Sequence, residues 1–294
     1  MASVTPDGVA GPGQNRAYDE RFIPGHRALT DTVHNAGGKV VVQINHAGSR
    51  SAGELPPSPS GISANAGPSR TITAEEIAAI TAGFARSALM MKQAGYDGVQ
   101  IHCAHGYLLS QFINPKFNKR TDAYGGSVEN RFRFAREVLL AVREAVGPDY
   151  PVLIKINSNA EENDDQFEAD LLWICSRCKT LGVSAVELSG CDFVPRTKKG
   201  DHNLYLARAC AVRHGCDIPV ILVGGVRTLD DMEVVLRGGI DLVALSRPLI
   251  CEPDLIPRLL SGQEKSACIS CSKCFPLLQT YDTERVLCVL HKKA

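Results

Sequence analysis

The chain has 294 residues, 44% of them hydrophobic, and its 32 basic and 32 acidic side chains leave a formal net charge of zero. That balance provides no basic field for nucleic acid or an anionic membrane surface, and no apolar run approaches the roughly 20 residues of a membrane span. The opening Met1-Ala-Ser-Val-Thr-Pro-Asp-Gly8 carries neither the basic nor the apolar region of a signal peptide. The length suits two average domains or one α/β barrel. Eleven scattered cysteines, odd in number, read as reduced thiols of a cytoplasmic protein.

Helix and strand signals alternate along the chain. A helix is predicted over Pro24–Ala36, closed by Gly37-Gly38, and a strand over Lys39–Asn45. Leu55–Pro68, rich in Pro, Ser and Gly, follows as a loop. Thr73 and Glu76 form a capping box that starts a helix running to about Ala94, with Gly95 after it. Val99–His102 is a strand, Ser127–Val146 a helix stopped by Gly147, and Pro151–Asn157 a strand. A helix over about Gln166–Leu181 leads to the strand Val183–Ser189. Leu204–His214 and Leu229–Arg237 are helices that alternate with the strands Pro219–Val223 and Asp241–Ser246. A short helix over about Pro253–Leu260 closes the series.

Apolar strands of five to seven residues without alternation are buried on both faces, as in parallel sheets. Their alternation with helices implies an α/β fold with a parallel sheet. Six strands are legible, whereas a closed (β/α)8 barrel has eight.

Residues 98–131 carry the densest chemistry. They read Gly-Val-Gln-Ile-His102-Cys-Ala-His105-Gly-Tyr107, continuing through Arg120-Thr-Asp-Ala-Tyr124-Gly-Gly126-Ser to Glu129-Asn-Arg131. Two histidines and a tyrosine follow a strand at the end where such barrels keep their chemistry. The pattern resembles the old yellow enzyme family of flavin-dependent ene reductases, especially its NADH:flavin oxidoreductase and 2,4-dienoyl-CoA reductase branch. The resemblance extends over nearly the whole chain. It implies a TIM-type barrel over residues 1–264 and a cysteine-containing tail over 265–294. In that family a stretch like Val4–Gly8 lies after the second strand, so the first two strands are expected to be missing here. An incomplete barrel would expose two strand edges.

The resemblance implies FMN and NAD(P)H as cofactors and an enone-type small molecule as substrate. His102 and His105 would hold the substrate carbonyl, since paired imidazole N–H donors suit an oxygen gaining negative charge. Tyr107 would donate a proton to the α-carbon. Gln43, an amide inside an apolar strand, would face the flavin's pyrimidine edge. Lys155 interrupts the strand Val152–Ile156 and would face flavin N1 and the C2 carbonyl; a salt bridge to a neighbouring carboxylate is its alternative.

Gly224 and Gly225, with Ser246 and Arg247, end the last two strands, where barrels bind phosphate. Ordinary turn glycines are the alternative there. Ser127 is a candidate N-cap, and Arg131 a tie between the long loop and its helix.

Cys268, Cys271, Cys274 and Cys288 resemble a group that holds an iron–sulfur cluster in the dienoyl-CoA reductase branch, where the second gap is one residue wider. Free thiols with no metal are expected here, with zinc or a cluster as alternatives. Three functional readings stand at this stage. The first is an FMN-dependent ene reductase, with a homo-oligomer left open. The second is an inactive or pseudoenzyme barrel, and the third a phosphate-binding aldolase built on Lys155, which leaves the histidine pair without a role.

Overall fold

The computed structural model describes residues 1–64, 67–158, 165–274 and 288–291. Ten strands and ten α-helices are traced among these residues. The first elements are β1 (Ala2–Ser3), β2 (Asn15–Arg16), α1 (Ile23–Asn35) and β3 (Val41–Asn45). A small pair, β4 (Pro57–Ser58) and β5 (Arg70–Thr71), precedes α2 (Ala74–Gln93) and β6 (Gly98–Cys103). Then come α3 (Leu108–Ile113), α4 (Val128–Val146), β7 (Val152–Asn157), α5 (Asp165–Cys178) and β8 (Ala185–Ser189). The series closes with α6 (Phe193–Lys198), α7 (Leu206–Gly215), β9 (Val220–Val223), α8 (Leu229–Arg237), β10 (Leu242–Ala244), α9 (Arg247–Cys251) and α10 (Leu255–Leu260).

Eight strands form one sheet in the order β10-β9-β8-β7-β6-β3-β1-β2, with every neighbouring pair parallel. The six strands read from the sequence are β3 and β6 to β10. The structure adds β1 and β2, each only two residues long. β1 pairs with β3 through Ala2 opposite Ile44 and Ser3 opposite Asn45, so a strand end precedes the Val4–Gly8 stretch. Among the described residues no pairing joins β10 to β2. Leu242 on the outer strand is 56% exposed.

β6 and β8 are buried at every position, in keeping with their mainly apolar character, and Gln100, His102 and Glu187 are buried with them. Helices cover the sheet with apolar stripes at helical spacing. In α2 the buried positions include Ile77, Ile80, Phe84, Ala88 and Met91, and in α4 they include Phe134, Val138, Leu139 and Val142. The α2 start is the capping box read from the sequence: Thr73 Oγ1 accepts from the Glu76 N–H, and the Glu76 carboxylate accepts from the Thr73 N–H. Ser127 caps α4 by accepting from the Asn130 N–H.

Arg131 performs the expected tie. Its Nε donates to the Ile113 carbonyl at 2.9 Å and its Nη1 to the Gly126 carbonyl, while Nη2 pairs with the buried Asp170. This holds the long loop between α3 and α4, and with it the end of β6. No helix among the described residues is long and apolar enough to cross a membrane.

Candidate active site

The carboxyl ends of β6 to β10 open onto one cavity of about 440 Å³. Seven of the residues singled out from sequence line it: His105, Tyr107, Lys155, Gly224, Gly225, Ser246 and Arg247. His102 and Gln43 do not. His102 lies just behind, only 3% exposed, with its ring centroid 5.2 Å from that of His105 and 5.1 Å from that of Tyr107. Its Nδ1 is buried and has no hydrogen-bond partner among the described residues.

The turn after β6 aims these rings. His105 takes φ +60° and Gly106 φ +70°, so two consecutive left-handed residues reverse the chain. A non-glycine residue pays for that conformation. Here it is held by the His105 N–H donating to Asn157 Oδ1 at 3.1 Å, and His105 Nε2 meets Ser189 Oγ at 2.8 Å. Gly106's carbonyl accepts from Arg50 Nε and from Gln111 Nε2. Tyr107 then starts α3 as its N-cap residue.

The electrostatics favour neutral imidazoles. Burial, with the charges of Lys155 and Arg50 in support, brings His105 down to about 3. Burial also holds His102 well below the ordinary histidine range, reinforced by His105 and Lys155. A neutral imidazole still offers one N–H donor.

Lys155 takes the salt-bridge alternative while still lining the cavity. Its Nζ donates to Glu187 Oε1 at 2.8 Å, with both side chains largely buried. Gln43 is engaged as well: its Nε2 donates to Gln100 Oε1 at 2.7 Å. Gly224 and Gly225 line the cavity, but the space a Cβ would need is already filled. At Gly224 it would lie 2.9 Å from the Tyr205 ring, and at Gly225 2.8 Å from the Asn203 nitrogen. Both have positive φ, so the turn itself demands glycine. Arg247 donates to Ser272 Oγ at 2.9 Å and to Thr197 Oγ1 at 3.2 Å, and its guanidinium lies 5.0 Å from the Phe193 ring centroid.

Several lining residues had not been singled out from sequence: Arg50, Asn157, Ser189, Phe193, Tyr205 and Arg227. Asn157 and Ser189 each end a predicted strand, and that position was their signal. Among the described residues the lining carries four cations, Arg50, Lys155, Arg227 and Arg247, and no carboxylate. In the tail, Cys268, Cys271, Cys274 and Cys288 line one small cavity together with Arg247. None of the chain's cysteines forms a disulfide.

A parallel sheet with a cavity at its carboxyl ends, lined by an imidazole, a phenol and a lysine, is the arrangement of an α/β-barrel enzyme. The chain belongs to the NADH:flavin oxidoreductase / NADH oxidase family, whose sequence profile matches residues 1–266. FMN and NAD(P)H are the cofactors of that family. The metal reductase of Desulforamulus reducens is 35% identical over 275 residues, covering 89% of this chain and 41% of that protein. An NADPH dehydrogenase of Clostridium acetobutylicum is 32% identical over 260 residues, covering 85% of this chain and 75% of that protein. The chain therefore spans under half the length of the first relative and three quarters of the second.

Among solved structures, 2-naphthoyl-CoA reductase in complex with 2-naphthoyl-CoA superposes with a TM-score of 0.83 at 26% identity, covering 92% of this chain and 46% of that one. Morphinone reductase superposes with a TM-score of 0.78 at 26% identity, covering 90% and 77%. These likenesses agree with the barrel-type parallel sheet read from the sequence.

The residues present fit FMN and a small-molecule substrate on three counts. The cavity is large enough for a cofactor-sized ligand. Its described lining is cationic without acids, which suits a phosphate and an electron-rich ring. His102 Nδ1, buried beside it with no partner among the described residues, is a polar group left for a bound small molecule.

Proposed function

We propose that the chain is an FMN-dependent ene reductase that uses NAD(P)H to reduce the activated C=C bond of α,β-unsaturated carbonyl compounds. The observation that carries this reading is the single cavity joining His105 and Tyr107 to Lys155 and to the Gly224-Gly225 and Ser246-Arg247 strand ends. FMN, when bound, supplies hydride transfer between the nicotinamide and the substrate. Lys155 would hold the ring's electron-rich side and Gln43 its pyrimidine edge. Arg247 and the backbone N–H of Ser246 would hold the phosphate, near the turn of Gly224 and Gly225.

His105 and His102, both neutral, would donate N–H bonds to the substrate carbonyl oxygen and stabilise it as charge develops there. Tyr107 would deliver the phenolic proton to the α-carbon from the cavity wall. Residues 1–264 are treated as the flavin domain and 265–294 as a tail whose four thiols hold no metal. The thiols suit a reducing, cytoplasmic compartment.

The test is flavin uptake followed by turnover. FMN titrated into the purified chain should bind with a shifted flavin absorbance, and the complex should oxidise NAD(P)H on addition of an enone. Replacing His102 and His105 with alanine should leave FMN bound while lowering enone reduction, by about 10²–10³ for each lost donor. A folded chain that takes up no FMN, or a double variant that reduces enones at the parent rate, overturns the reading.

A further inference from the structure

The polar groups on the barrel floor form a single directed chain, and its source is a residue with no role so far. Gln43 and Gln100 lie opposite one another across β3 and β6, and Lys155 and Glu187 do so across β7 and β8. Glu187 Oε1 accepts from Lys155 Nζ at 2.8 Å, and its other oxygen accepts from Gln100 Nε2 at 2.6 Å. Gln100 Oε1 in turn accepts from Gln43 Nε2 at 2.7 Å. Glu187 and Gln100 are 8% exposed.

An amide can face either way, but a carboxylate can only accept. Glu187 therefore forces Gln100 to turn its NH₂ inward, which leaves the Gln100 oxygen towards Gln43. Gln43 must answer with its own NH₂, so its oxygen and second N–H remain for a ligand. The same carboxylate holds the Lys155 ammonium at a fixed point and offsets its charge. One acid thus orients the two side chains assigned to the flavin ring in the reading above.

We infer that Glu187 is a positioning residue for the flavin site: it fixes Lys155 and, through Gln100, the amide direction of Gln43, and it sets how much positive charge the bound ring experiences. The inference rests on the FMN reading. Its physical consequence is a direction in redox potential. Reduction adds negative charge to the ring, and an ammonium partly neutralised by Glu187 stabilises that charge less than a lone ammonium does.

Glu187→Gln keeps the shape and removes the charge, so the FMN midpoint potential should rise. A tenfold gain in the relative binding of the reduced over the oxidised cofactor corresponds to about 30 mV for a two-electron couple. Lys155→Met combined with Glu187→Gln removes both charges and should lower the potential below that of the parent. Glu187→Asp keeps the charge and should stay closest to the parent.

The experiment is a reductive titration of the FMN-loaded proteins against redox dyes. The expected order is Glu187→Gln highest, the parent between, and the double variant lowest. A Glu187→Gln protein with FMN bound at or below the parent potential overturns the inference, as does a double variant at or above it. The single variant leaves Lys155 buried without its carboxylate, a cost that can prevent folding; the double variant, which removes both members of the pair, then decides alone. A parent chain that binds no FMN sinks the flavin reading and this inference together, whereas bound FMN with the wrong order of potentials sinks the inference alone.

Discussion

His105 sits where the backbone is strained, the side chain is half-buried in the cavity wall and two cations are close, and together these fix its protonation state. Its pKa falls from the ordinary 6.5 to about 3, chiefly through burial. Between those two values the unfolded chain binds a proton that the folded chain refuses. Stability therefore falls as pH falls through that window and is fully recovered above about 6.5. His102, displaced the same way, adds to the slope. His105→Asn keeps a donor and removes the titration. Urea unfolding between pH 7 and pH 4.5 should show a shallower loss of stability for the variant than for the parent, a difference on the order of one to a few kcal/mol at the acid end. Equal slopes would count against a neutral His105. The histidines were legible in the sequence because they end a strand in a spaced pair. Glu187 was not, although it interrupts its strand as Lys155 does. The two side chains are 32 residues apart and meet only because β7 and β8 pair in one register, and a shift of one residue would turn them to opposite faces.

Elements were legible in proportion to their length and to the chemistry at their ends. Thr73, Ser127 and Gly147 mark boundaries by local hydrogen bonding or by positive φ, and the structure keeps all three. α3, α6 and α9, of five or six residues, pass unread because so short a helix shows less than two turns of period; α10, equally short, is the one that was read. β1 and β2, at two residues, carry no pattern. The caps lead to a graded prediction. Ser127→Ala removes one cap at the exposed start of α4 and should cost about 1 kcal/mol in urea unfolding. Arg131→Ala removes the cationic partner of the buried Asp170 and two ties that join α4 to the end of α3 and to the loop. It should cost about 3–5 kcal/mol, and it should also weaken FMN binding, because the same loop supports the end of β6. If the Arg131 variant is no less stable than the Ser127 variant, the loop is not anchored in the way described.

At the scale of the whole molecule, the cavity's charge has to be matched by something bound. Four cations converge on it with no acid among the described lining residues, and each is held by neighbouring groups. Arg227 and Arg247 also reach into the cysteine tail, through the Cys268 carbonyl and Ser272. Ligand charge at the strand ends should therefore be felt as global stability. FMN at 100 times its Kd should raise the unfolding free energy by about 2.7 kcal/mol. For a chain of this size that corresponds to an increase in Tm of roughly 4 °C if unfolding is two-state. Riboflavin offers the same ring without the phosphate, so it should give a smaller shift at equal concentration. The difference should shrink as salt screens the phosphate contacts. Arg247→Met should reduce the FMN shift to the riboflavin level and leave the riboflavin shift itself unchanged, since the proposed reading gives the ring to Lys155 and Gln43 at the other end. Differential scanning fluorimetry with both ligands, at low and high salt, reads all of this from one set of melts. If riboflavin stabilises the parent as well as FMN does, Arg247 and the glycine turn are not the phosphate site. If the Arg247 variant loses both shifts together, that residue holds the tail and the barrel rim rather than the ligand.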